Sequence, residues 1–458
     1  MSTKSVILIA GTIAAIICYV LLASVPYPPA VCWTASITLL CATFWITEAL
    51  PIPVTALIAI ALFPSVGVLT PAQAGQAFAS QTVFLVLGGF ILSASMVSTG
   101  AHRRVALGMV NLIGGASSRR VVFGFMCASA FLSMWISNAA TSLMLLPVAL
   151  AILERAEDPK LATPLLLGMA YAASIGGLGT PIGTPANLVF MENYALATGE
   201  EVSFSQWVKW GLPIAALMLP VCFFWITRGL DYSKPMELPK PGAWRVEEKR
   251  VLWVFGITAV AWMTRSEPLG GWSALLGLPG ITDAYIAIFA AISLFVVPNG
   301  RGGKLLDWES ASKIPWGILL LLGSGFTIAR AFTESGLSSI LGDGLSGLSD
   351  LPLLVMIGCV CLVVTFMTEL TSNTATTTLL MPVLAAAALA AGLGDPVLMM
   401  LPAALTASCA FMLPTATTPN GVAFSTGRFP IRKMASEGVV LNLLGVLVVT
   451  FTSYWLLA

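Results

Sequence analysis

Charge is what this chain lacks most. It carries 22 basic and 21 acidic side chains on 458 residues, 9% in all, where a soluble domain carries about 25%. So few charges cannot clothe a water-facing surface, which excludes a soluble globular protein. Histidine is nearly absent: His102 is the single one and lies in His102-Arg103-Arg104, which excludes a histidine proton relay. The eight cysteines (Cys18, Cys32, Cys41, Cys127, Cys222, Cys359, Cys361, Cys409) form no Cys-x-x-Cys. Neither a metal site nor a disulfide framework is therefore indicated. The chain has no P-loop, no His-Glu-x-x-His and no nucleophile elbow, so an ATP-driven pump, an intramembrane protease or another enzyme has no support. No basic cluster points to nucleic acid, and a net charge of +1 says nothing about partners.

Apolar sequence is what remains. Hydrophobic residues make up 57% of the chain, and apolar runs of roughly 20 residues, the length that spans a bilayer as helix, recur throughout. The fold class is therefore all-α, a polytopic membrane protein in the lipid bilayer. Spans are expected at 5–25, 30–48, 52–69, 82–99, 161–190, 207–227, 251–265, 280–298, 396–427 and 434–457, with one more at Leu319–Phe326, where the pattern of Phe84–Phe90 returns. The first of these reads as a transmembrane helix, since no small-residue cleavage site follows it. Residues 103–118 are less hydrophobic and suit an amphipathic helix lying in the interface.

Two polar islands interrupt this pattern. One is Ser372-Asn373-Thr374; the other is Ser137-Asn138, and each is followed by Ala-Thr, Leu, Met and then Pro. Asn138 and Asn373 stand 235 positions apart, as do Pro147 and Pro382 and also Gly88 and Gly323. The segments 121–136 and 139–153 that flank the first island are too short to span comfortably. Short interrupted apolar segments in corresponding halves are the sequence mark of a transporter's binding site. We read re-entrant helical hairpins at 120–154 and 351–392, with the islands at their tips. Each is followed by a broken span, interrupted at 176–187 and at 414–420, where Gly and Pro free backbone groups that must face protein or water. Thr184-Pro185 and Thr418-Pro419 are 234 apart. The sum is about eleven spans plus two hairpins in two repeats.

Placing the N-terminus in the cytoplasm puts 19 of the 22 Lys and Arg residues inside, with only Lys209, Arg265 and Arg330 outside. The positive-inside rule demands that bias. It sets the two hairpins on opposite sides, so the repeats are inverted.

Inverted repeats with broken helices place a site near the midplane. A starting half-helix offers N–H groups and a partial positive dipole to an anion, and an ending one offers carbonyls to a small hard cation. A substrate carboxylate would accept from the Asn373 amide and the Thr374 hydroxyl. Neither tip holds Lys or Arg, so charge neutralisation falls to dipoles and bound cations, which argues for cation coupling. Ser, Thr and Asn in a membrane helix are commonly interhelical glue, but two matched islands with broken partners speak against glue. Glu48 and Glu369 stand in apolar runs and are candidates on that ground; Glu48 fits an interfacial residue, and Glu369 fits a support for the second tip.

Trp45-Ile-Thr-Glu-Ala-Leu-Pro51, the two tips, Ile182-Gly-Thr-Pro-Ala-Asn-Leu188 and Phe411-Met-Leu-Pro-Thr-Ala-Thr-Thr-Pro-Asn420 resemble the divalent anion/sodium symporter family over essentially the whole chain. The resemblance implies a homodimer in which scaffold helices carry an elevator-like transport domain. It implies import of a dicarboxylate, citrate or sulfate with sodium as the coupling ion. By position, one sodium site would use Ser133, Ser137, Asn138 and the Gly183 carbonyl; the other would use Thr368, Thr371, Asn373 and the Ala416 carbonyl. The substrate would meet Asn138 and Thr184 from one half, and Asn373, Thr374, Thr417 and Thr418 from the other. Ala139 departs from the family's Ser-Asn-Thr tip, and Thr141 or Thr184 is the candidate to compensate. Thr418 stands where a second Pro is usual.

The expected division is scaffold helices at 1–81, a first repeat at 82–227, a cytoplasmic linker at 228–250, scaffold helices at 251–313 and a second repeat at 314–458. The reading that follows is a multi-pass protein of the plasma (cell inner) membrane performing sodium-coupled uptake of C4-dicarboxylates such as succinate. A sulfate or citrate carrier, a sodium-independent exchanger and an anion channel stand as alternatives.

Overall fold

A computed structural model describes residues 3–457 except 116, 157, 159, 231–237, 240, 268–269 and 345–350. Part of the expected linker, with Lys234 and Lys240, thus lies outside the described residues. The described chain is helical, with no strand beyond the isolated pairing of Pro298 with Lys304. Among the described residues nine helices are long and apolar enough to cross a membrane, counting Pro71–Thr99 as one. The polytopic all-helical reading holds. The count differs from eleven because the nine include both legs of the second hairpin and leave out four expected spans: Ile52–Ser65, Asp283–Val296 and Val397–Ala407 are shorter apolar helices, and Val246–Thr264 opens with charged residues.

Local chemistry sets the boundaries. Between the expected spans at 52–69 and 82–99 lies a short helix, Pro71–Phe78, opened by a capping box: Thr70 Oγ1 accepts from Gln73 N at 3.2 Å and Gln73 Oε1 accepts from Thr70 N at 2.8 Å. Ser80, Ser117 and Ser203 cap the helices Gln81–Thr99, Ser118–Ser133 and Phe204–Ile226, each accepting from the backbone N–H three residues on. Gln81–Thr99 ends at Gly100 in the left-handed region and continues as the amphipathic helix Ala101–Ile113; Trp316–Ser335 ends likewise at Gly336 before Leu337–Gly344.

Each hairpin packs on its own broken span, Ser118–Ser133 on Ala162–Gly176 and Leu353–Leu370 on Val397–Ala407. Each second leg also packs on the other half's broken span: Asn138–Leu153 meets Thr418–Phe424, and Asn373–Ala390 meets Pro185–Thr198. This crossed contact holds the two breaks and two tips in one unit, buried in the main core. Around it, Gln81–Thr99 packs on Asp283–Val296, Ile52–Ser65 on Trp316–Ser335, and Thr3–Ala23 on Pro29–Thr47. Gly88 is required where backbones approach, since a Cβ there would sit 2.5 Å from that of Ala287. Its counterpart Gly323 makes room for the Phe78 ring, 2.1 Å from where its Cβ would be.

Candidate functional site

The two tips are built alike. At the first, Ser118–Ser133 ends, four residues turn, and Ser137 caps Asn138–Leu153 by accepting from Ala140 N at 3.3 Å. Ser133 Oγ donates to Asn138 Oδ1 at 2.5 Å. At the second, Thr371 and Ser372 separate Leu353–Leu370 from Asn373–Ala390, and Thr368 Oγ1 lies 2.8 Å from Asn373 Oδ1. Each pairing joins a hydroxyl to an Asn five residues later, and the two stand 235 positions apart. Thr368 Oγ1 also lies 2.8 Å from the Ala407 carbonyl, which ties the second tip to its break.

The breaks repeat with the same fidelity. Breaking a helix in the membrane frees carbonyls and N–H groups that lipid cannot satisfy. Asn187 Nδ2 donates to the carbonyls of Gly177 at 2.9 Å and Thr180 at 2.8 Å. Asn420 Nδ2 donates to those of Ala410 at 2.9 Å and Leu413 at 3.0 Å. The carbonyl between them is taken by Trp207 Nε1 in the first break (Leu178, 2.9 Å) and by the Tyr171 hydroxyl in the second (Phe411, 2.8 Å). All three carbonyls and the asparagine correspond at an offset of 233. The 234 read from the Thr-Pro pairs therefore slips by one: Thr184 corresponds to Thr417, each the N-cap residue in extended conformation, and Thr418 opens the helix as Pro185 does. Asn187 and Asn420 are fully buried, and the Oδ1 of each has no hydrogen-bond partner among the described residues.

Glu369 serves the second break rather than the second tip. Its carboxylate accepts from Met412 N at 2.9 Å, Leu413 N at 3.0 Å and Asn442 Nδ2 at 2.7 Å. Asn442 Oδ1 in turn accepts from Phe411 N at 3.1 Å. Position 134 of the first half is Met, whose carbonyl accepts from the Thr180 hydroxyl. One half is thus clamped by a carboxylate, the other by a hydroxyl. Glu48 is exposed and left-handed (φ 47°) at the end of Pro29–Thr47, as an interfacial residue would be.

Three of the four members of the first candidate ion set come together, while the Ser137 hydroxyl caps Ala140 N. A Cβ on Gly177 would lie 2.9 Å from Asn138 Oδ1 and 3.3 Å from the Gly183 carbonyl, so the amide and that carbonyl share a wall, with Ser133 bonded to the amide. In the second set Thr368 and Asn373 are bonded, Ala416 is buried, and the Thr371 hydroxyl is engaged by Met367 O at 3.0 Å and by Thr376. Both sets offer hydroxyl, amide and backbone oxygens, which suit a small hard cation. Among the substrate candidates Thr184 and Thr374 are buried, Thr417 accepts from Asn420 N at 3.3 Å, and Thr418 is exposed. Thr184 makes no cap bond, and Thr141 Oγ1 is buried without a partner among the described residues. Both hydroxyls belong to the half that carries Ala139. Asn187, Asn420 and Asn442 were not among the residues singled out from sequence. For the first two the signal was available, an Asn just after the Pro in each break; Asn442 has none.

The sequence profile of the family described as Citrate transporter (CitMHS) matches residues 42–404. The sodium-dependent dicarboxylate transporter SdcS of Staphylococcus saprophyticus is 38% identical over 447 residues, which cover 92% of this chain and 85% of that one. SdcS of Staphylococcus aureus is 37% identical over 450 residues, 93% and 86% of the respective chains. Among solved structures, the Alcanivorax borkumensis YdaH transporter superposes with a TM-score of 0.60 at 17% identity, over 85% of this chain and 87% of that one. Neisseria gonorrhoeae MtrF gives 0.58 at 13% identity, over 83% and 82%. At those identities the likeness speaks for the fold alone.

Proposed function

The chain belongs to the citrate transporter family, and from that premise we propose that it is a secondary transporter importing C4-dicarboxylates such as succinate together with sodium. The observation that carries the reading is the mirrored pair of oxygen clusters, Ser133–Asn138 beside Gly183 and Thr368–Asn373, with no Lys or Arg in either tip. A dianion held away from water needs about two compensating charges. A helix N-terminus supplies roughly half a charge, and the helices starting at Asn138, Pro185 and Asn373 contribute at that level. Sodium bound at the clusters supplies the rest, so anion and cation stabilise each other's binding. That mutual dependence is the coupling.

The residues divide by role. Ser133, Ser137, Asn138 and the Gly183 carbonyl hold one sodium; Thr368, Thr371, Asn373 and the Ala416 carbonyl hold the other. Asn138, Thr184, Asn373, Thr374, Thr417 and Thr418 donate to the carboxylates. Each tip asparagine uses its oxygen toward the hydroxyl and ion side, which leaves its N–H groups for the substrate. The crossed packing of tips and breaks favours movement of the whole unit against the surrounding helices, an elevator in a homodimer of the plasma membrane with the N-terminus inside. SdcS, by name a sodium-dependent dicarboxylate transporter, supports the choice of substrate and ion.

Succinate uptake into proteoliposomes tests this. An inward sodium gradient should drive accumulation, and excess succinate should outcompete citrate and sulfate. Asn373→Ala should abolish uptake while the protein still elutes as a folded species. Uptake indifferent to sodium would sink the symport reading, and preference for citrate or sulfate would reassign the substrate.

A further inference from the structure

Apart from the tips, a cavity of about 300 Å³ opens between the start of Ala162–Gly176, the end of Phe204–Ile226 and the start of Ile431–Leu457. Four charged residues line it: Lys160, Arg228, Lys433 and Glu437. Glu437 is buried and organises the others. Its carboxylate accepts from Arg228 Nη1 at 2.7 Å and Nη2 at 3.0 Å, and from Lys433 Nζ at 2.7 Å. Arg228 also donates to Trp225 O at 2.5 Å and lies 3.9 Å over the Trp225 ring. One acid thus fixes two cations in place without neutralising both, and Lys160 lines the cavity beside them. The side chains of Arg228 and Lys433 stay about half exposed, 46% and 48%, with donors left over for a ligand.

We propose that this cavity binds the phosphodiester headgroup of an anionic phospholipid. Two further features support an anion from the membrane. The N-terminus of Ile431–Leu457, a helix of 27 residues, brings its partial positive charge to the cavity. Phe224, 70% exposed one helical turn before Arg228, offers an apolar surface beside the cations, which an acyl chain would cover and a free phosphate would leave bare. Interfacial Lys and Arg alone need no ligand, since topology explains them. A concave site with a buried carboxylate positioning two of them is what basic lipid pockets between transmembrane helices offer.

The test uses the full-length protein in neutral detergent, with its melting temperature followed as lipid is added. Phosphatidylglycerol should raise it saturably and phosphatidylcholine should not. Lys160→Gln combined with Lys433→Gln should remove the rise, with Glu437 still held by Arg228. Should the double variant not fold, Lys160→Glu alone carries the test and must weaken the response at least several-fold. An equal rise with phosphatidylcholine, or an undiminished rise in the variants, would overturn the proposal. An equal rise with inorganic phosphate would assign the cavity to a soluble anion and overturn the lipid assignment. None of these outcomes bears on sodium coupling, which the cavity does not serve.

Discussion

Four asparagines carry the account at the residue scale. Asn138 and Asn373 were legible in the sequence because each sits in a short polar island inside apolar sequence, at a constant spacing. Asn187 and Asn420 were not singled out, because an Asn beside Pro and Thr reads as one more loop residue until its partners are known. Their amides replace helical N–H donors that the breaks remove, two carbonyls apiece. Asn187→Ala and Asn420→Ala should each cost about 1–3 kcal/mol, the penalty for unsatisfied buried groups, seen as lower melting temperatures in detergent. Unchanged melting would mean that other groups or water hold the breaks. Ala139 is the opposite case, a place where a hydroxyl is missing. Ala139→Thr adds a donor for a charged substrate, worth roughly 1.5–3 kcal/mol, so the KM for succinate should fall about tenfold or more. An unchanged KM would show that Thr141 or Thr184, whose hydroxyls the helix caps do not use, already fills the role.

At the scale of elements, hairpins and broken spans were readable from length and from Gly and Pro density. A helix of 16 residues, the length of each leg of the first hairpin, reaches only about 24 Å, short of a hydrocarbon core of about 30 Å. What sequence could not give is the crossing, in which each second leg lies on the opposite half's broken span, because no local pattern encodes contacts between segments so far apart in the chain. Separation along the chain, 43 positions to Met412, also hid the role of Glu369. Its spacing from Asn373 suggested a support for the tip, but its side chain projects onto the Met412 and Leu413 N–H groups. A carboxylate accepts from both; Gln must turn an NH₂ toward one of them. Glu369→Gln should therefore lower the melting temperature and reduce uptake severely, at roughly 1.5–3 kcal/mol per charged hydrogen bond lost. Wild-type melting and wild-type uptake together would show that the second break does not depend on this clamp.

For the molecule as a whole, composition settled the class at once. Few charges and long apolar runs leave only a polytopic helical protein, and the structure agrees. The exact number of spans was less legible, since Val246–Thr264 opens with four charged residues, Glu247 to Arg250, and the second hairpin's legs match true spans in length and hydropathy. The repetition is unequal where it matters. One half has Thr374 and a carboxylate clamp, the other Ala139 and a hydroxyl clamp, so the second half should dominate substrate contact while both halves hold sodium. That two-site arrangement is the central claim. It is tested most directly by the initial rate of succinate uptake into proteoliposomes against external sodium, at fixed succinate and membrane potential. Two coupled oxygen clusters predict a sigmoidal dependence with a Hill coefficient above about 1. A hyperbolic dependence, or a rate unchanged when choline replaces sodium, would contradict it.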